Sequence, residues 1–131
     1  MAAVGAISQT HNKARTIRVL TLAWTSSSDT GAVSGIESQD LDGELLSVTF
    51  TPGTAGTQPS DQYDVTLLDD DGFDVLQGKG ANRSNVTATM LCPLIGDGTT
   101  TNQRVPLAGT YQLTVAAAGN SKTGTVTLRY R

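Results

Sequence analysis

The sequence predicts an all-β protein, a single antiparallel β-sandwich of about seven to nine short strands, immunoglobulin-like or jelly-roll, with an extended N-terminal arm. Three observations lead there. Thr, Ser and Gly supply 44 of the 131 residues, and Thr favours strands whereas Gly favours turns. Apolar residues recur at every second position in short runs, and no helical period lasts beyond a turn or two. Turn dipeptides such as Pro52-Gly53 and Asp71-Gly72 separate the runs.

Residues 1–14 are small and polar with little pattern and read as an extended arm, which leaves residues 15–131 as the β-sandwich domain. Arg15 to Trp24 reads as a strand with Ile17, Val19 and Thr21 on one face and Leu20, Leu22 and Trp24 on the other, the signature of a central or interface-covered strand. A weak strand follows at Ala32–Ser38, then one from Glu44 to Thr51 with Leu46, Val48 and Phe50 on one face. Gln62–Leu68 is the next, and Asp69-Asp70-Asp71-Gly72 turns it back on Phe73–Leu76. Val86, Ala88, Met90 and Cys92 alternate in a further strand. Pro93–Gln103, with Gly96-Asp97-Gly98, reads as a loop, and Arg104–Leu107 as a short edge strand. Two strands end the chain, Thr110–Val115 with Tyr111, Leu113 and Val115 inward, and Gly124–Arg131 with Val126, Leu128 and Tyr130 inward. Only a short polar turn separates them, so they read as a terminal hairpin.

The charge balance argues against a nucleic-acid partner. The formal net charge is −3, and the nine basic residues do not form a stripe along which phosphates could lie. No apolar run is long enough for a membrane span, and no basic-then-apolar secretion signal opens the sequence, so synthesis in a cytoplasm is expected. The single Cys92 cannot form an internal disulfide; its place in an alternating run reads as buried and structural.

Few residues offer chemistry. His11 is the one histidine, and no nucleophile or carboxylate is tied to it by spacing, so no enzyme is expected. One His and one Cys make no zinc spacing. Asp69, Asp70, Asp71 and Asp74 place four carboxylates in six residues and are a calcium candidate. Yet an EF-hand loop beginning at Asp69 needs a Glu where this chain has Gly80, and acidic turns between strands are common. Apart from that candidate no cofactor is expected. Trp24, Tyr63, Tyr111 and Tyr130 could build a sugar-stacking platform, but each also fits a core-facing strand position. Their burial separates the two readings.

The run Gln62-Tyr63-Asp64-Val65-Thr66-Leu67-Leu68 through Asp74-Val75-Leu76, with Gly78-Lys79-Gly80-Ala81-Asn82-Arg83-Ser84, resembles small structural proteins of tailed bacteriophages. Ala108–Val115 and Asn120–Leu128 are similar to the same group, so the resemblance covers about residues 44–131. It implies a virion protein made in the host cytoplasm, of the capsid decoration (cement) type, that binds the major capsid protein and forms a trimer or dimer. A neck or tail adaptor is the alternative within the particle, and a carbohydrate-binding module the alternative outside it. His11 and Lys13 on the arm, Arg15 at the start of the first strand, and Arg129 and Arg131 on the last strand are the residues expected to meet a partner.

Overall fold

The computed structural model describes residues 3–96 and 102–131. It is all-β, with curled antiparallel sheets and no α-helix among the described residues. The main sheet contains β1 (Ala6–Asn12), β2 (Arg18–Thr25), β10 (Thr123–Tyr130), β3 (Leu41–Pro52) and β5 (Thr89–Leu91), in that spatial order. β3 is long enough to take two partners along one edge. Its first residues pair with β8 (Pro106–Gly109), and Val48–Phe50 pair with β5. Between β5 and β8 in sequence lies a hairpin of β6 (Leu94–Gly96) and β7 (Asn102–Arg104). A second layer is built on β4 (Asp64–Leu68) and β9 (Gln112–Ala116), with Val33 and Glu37 bridging to the far side of β9.

The buried set follows from alternation. Leu20, Leu22 and Trp24 of β2, Val126, Leu128 and Tyr130 of β10, and Leu45, Val48 and Phe50 of β3 are at most 1% exposed. They join Val65 and Leu67 of β4 and Leu113 and Val115 of β9 in one core cluster. At about 25 cal/mol per Å² of apolar surface removed from water, this cluster is the main source of stability. Trp24 lies beside Tyr63, ring centroids 5.7 Å apart, and its cross-strand neighbour is Gly124. A β-carbon at Gly124 would collide with the indole, so that glycine is dictated by the size of its neighbour.

The opposite face of the main sheet explains the abundance of Thr. Cross-strand register places Ser8, Ala23, Thr125 and Thr51 in one row, and Thr10, Thr21, Thr127 and Thr49 in the next. These are short side chains on a half-exposed or exposed face, where β-branched residues fit the pleat and hydroxyls stay hydrated.

Several expectations are corrected. The strands expected at Ala32–Ser38 and Phe73–Leu76 are isolated bridges, and the loop expected over Pro93–Gln103 contains β6 and the start of β7. The arm expected over residues 1–14 is, at Ala6–Asn12, the edge strand β1, paired with β2 over seven residues. Its half-buried positions are Ile7, Gln9 and His11. Two of the three are polar and hold the strand by hydrogen bonds (Gln9 Nε2 to the Glu37 carbonyl at 3.0 Å), so hydropathy carries no trace of it. Leu45, not Leu46, is the inward residue of β3, because a bulge opposite Arg129–Tyr130 skips Leu46. The last two strands are not a hairpin. β9 pairs with β4 and β10 with β2 and β3, so the turn between them crosses from one layer to the other. Cys92 is exposed rather than buried. Gly96 ends β6, and the Asp97-Gly98 part of the predicted loop lies outside the described residues.

Candidate interaction surface

Six large apolar side chains are exposed among the described residues, and five of them lie between Phe73 and Ile95. Phe73 is 71% exposed, Val86 75%, Met90 68%, Leu94 45% and Ile95 42%. The sixth, Ile17, sits on the β1–β2 turn. β5 is the reason for the clustering. It has a strand partner on one side only, through Val48, Thr49 and Phe50, and Met90 shares the row of Thr49 on the wet face. The apolar alternation expected to bury Val86, Ala88, Met90 and Cys92 therefore points outward, while the neighbouring Thr89 and Leu91 are half-buried. A strand edge with exposed apolar side chains invites pairing or coverage.

Next to this strip lies a cleft of about 310 Å³ walled by Phe73, Val75, Ile95, Val105 and Pro106, with Asp69 and Asp74 at its rim. The turn that carries Phe73 is firmly built. Asp69 Oδ1 accepts from the backbone N–H of Asp71 (3.0 Å) and of Phe73 (2.9 Å), and the Phe73 carbonyl accepts from the Asp69 N–H at 2.9 Å. Gly72 takes the positive φ of 86° that closes the turn. Asp74 Oδ1 accepts from Leu67 and Leu76 N–H, both at 3.0 Å, and its Oδ2 from Gly78 N–H at 2.9 Å. Two of the four carboxylates of the calcium candidate are thus spent on backbone donors. No group of three His, Cys, Asp or Glu side chains is gathered as a metal ion would require among the described residues. Asp70 and Asp71 are exposed and in no ion pair among those residues.

The other candidate residues are dispersed. His11 faces the end of β10, its Nε2 2.6 Å from Tyr130 Oη and its Nδ1 2.9 Å from Gln39 Oε1. Because the Gln39 oxygen can only accept, Nδ1 carries the hydrogen in that contact. Arg18 lies over the Tyr130 ring and pairs with Asp42 at 2.5 Å. Burial raises the Tyr130 phenol above its ordinary value, against the lowering effect of Arg18. His11 and Cys92 lie toward opposite edges of the sheet, so they form no nucleophile–base pair. Lys13 and Arg15 are exposed on the β1–β2 turn. Arg129 donates to Thr49 Oγ1 at 3.2 Å, and Arg131 pairs with Glu44 at 3.3 Å. Trp24, Tyr63, Tyr111 and Tyr130 are all at most 4% exposed, which removes the stacking platform a sugar-binding module would present. No helix among the described residues is long and apolar enough to cross a membrane.

Phe73 and Met90 escaped the sequence as surface residues because an apolar side chain in a strand pattern signals burial by default, whereas Ile95 lies in the stretch read as a loop. The one available sign was the length of the run, since a short strand at the end of a sheet covers little. No protein-family model, curated protein or solved structure matches this chain.

Proposed function

We propose that the chain is a non-enzymatic structural protein of a phage virion, a capsid decoration protein that binds the major capsid protein lattice and stabilises it. In this reading its two layers form one small β-sandwich, it works as a homo-oligomer on the particle, and it needs no cofactor. The observation that carries the proposal is the exposed strip Val86–Met90–Leu94 on the β5–β6 edge. A rigid, cofactor-free scaffold with an uncovered apolar strand edge is suited to meeting another protein. The resemblance of residues 44–131 to tailed-phage structural proteins supplies the kind of partner.

The testing measurement is the copy number per particle relative to the major capsid protein. A decoration protein gives copies in proportion to the lattice sites. Roughly a dozen copies would indicate a ring at the neck or tail. Absence from purified particles would overturn the virion reading.

A further inference from the structure

We infer that two copies of this chain dock head to tail, the β1–β2 turn of one copy inserting Ile17 into the Phe73 cleft of the next. The inference makes specific the homo-oligomer in the proposed function and rests on that part of it alone.

The two surfaces complement one another in apolar character and in charge. The cleft is walled by apolar side chains and takes its charge from the acidic turn. Four of the twelve acidic residues lie within Asp69–Asp74, which leaves the remainder of the chain with nine basic residues against eight acidic ones. The negative charge of the protein is therefore a local feature of this rim. On the β1–β2 turn, Lys13 and Arg15 precede Ile17, all three exposed, and neither cation is in an ion pair among the described residues. Ile17 is the one exposed large apolar residue described outside Phe73–Ile95. An apolar tip preceded by two cations thus has its counterpart in an apolar cleft beside the turn that carries Asp70 and Asp71, which are exposed and in no ion pair among the described residues.

A chain cannot satisfy its own cleft. The β1–β2 turn belongs to one edge of the main sheet, and the cleft lies beyond β3, against Val105 and Pro106 next to β8. With strands about 4.8 Å apart, the intervening β10 and β3 hold the two regions well over a side-chain length from each other. Contact is then between copies and heterologous: each copy offers its turn to one neighbour and its cleft to another. Such a contact gives a closed ring of three or more when its rotation closes, and differs from the reciprocal insertion that would make a two-fold dimer. Both sides are preorganised, the cleft by the Asp69 and Asp74 hydrogen bonds and the turn by the paired strands that flank it, which limits the entropy lost on docking.

The test is sedimentation of the full chain at low salt, at concentrations up to about 1 mM, the weak end of specific association. Wild-type chain is expected to form closed rings that dissociate as ionic strength shortens the reach of the charges from about 30 Å to about 8 Å. Ile17→Ser and Phe73→Ser alter exposed positions, and each alone is expected to weaken assembly by roughly 30-fold, the effect of a central apolar anchor. Mixed together, these two variants retain one intact contact and should form a heterodimer that grows no further. Lys13→Glu with Arg15→Glu should abolish rings, and Asp70→Lys with Asp71→Lys in the same chain should restore them. A wild-type chain that stays monomeric, a symmetric dimer, or variants that assemble like wild type would overturn the inference. A ring-forming chain that fails to bind capsids would remove the virion role alone. A monomer that decorates capsids would remove this inference alone.

Discussion

β10 and β5 show how position in a sheet decides what an alternating strand becomes. β10 has hydrogen-bonded neighbours on both sides, β2 along its whole length and β3 from Gly124 to Tyr130. The second layer covers its inward face, and Val126, Leu128 and Tyr130 are buried. Among the described residues β5 pairs only with β3, over three residues, and Val86, Ala88 and Met90 face water while Leu91 packs partly against the core. The same period of two therefore builds the core in one place and an exposed apolar surface in the other. Burial belongs to the neighbours a strand acquires, and periodicity by itself states only that two faces differ.

The sharpest way to separate the two strands is to truncate each. Leu128→Ala removes a fully buried side chain from the middle of the core and should lower stability by about 2–5 kcal/mol, read as a fall in the urea midpoint. Gly124→Ala tests the contact with Trp24. The added methyl group meets the indole directly, and a loss of about 1–3 kcal/mol is expected from overpacking. Little change in either variant would show that β10 is not the centre of the fold.

Alkaline titration probes the same core without truncation. Burial raises the phenol of Tyr63, opposed by Arg83, and that of Tyr130, opposed by Arg18. Above pH about 10 the unfolded chain loses these protons while the folded chain keeps them, so the unfolded state binds fewer protons and stability falls with rising pH. The contribution is complete below the unfolded value and disappears as pH climbs to the folded one. Tyr63→Phe and Tyr130→Phe should each flatten that decline in a series of melts, and an unchanged slope would mean that these hydroxyls are hydrated.

Smallest in stability and largest in contrast is the edge. Met90→Ser and Val86→Ser change side chains already in water and should shift the midpoint by no more than about 0.5 kcal/mol. Both should nonetheless reduce attachment to capsids in a pull-down. A loss of stability like that of Leu128→Ala would place β5 in the core and remove the contrast.

The contrast also marks what was legible in the sequence. Leu20, Leu22 and Trp24, Val65 and Leu67, and Val126, Leu128 and Tyr130 declared both strand and buried face, because hydropathy and burial coincide where a strand has a layer above it. β1 was invisible, since Gln9 and His11 fill its half-buried positions and act through hydrogen bonds that leave no hydropathic period. The separation of β9 from β10 was equally hidden. A turn that crosses between layers has the same polar composition as one that closes a hairpin. At the surface, the Asp-rich turn was legible as a turn, but its display of Phe73 depends on where Asp69 and Asp74 send their oxygens.

In the proposed function the β5–β6 edge meets the capsid while β10 holds the scaffold. Hydrogen exchange on the chain, free and bound to purified capsids, tests it most directly. The expected result is new protection across Thr89–Ile95 on binding, with β10 strongly protected in both states. Protection confined to the Thr rows of the opposite face, or no change at Thr89–Ile95 in a chain that binds, would contradict it.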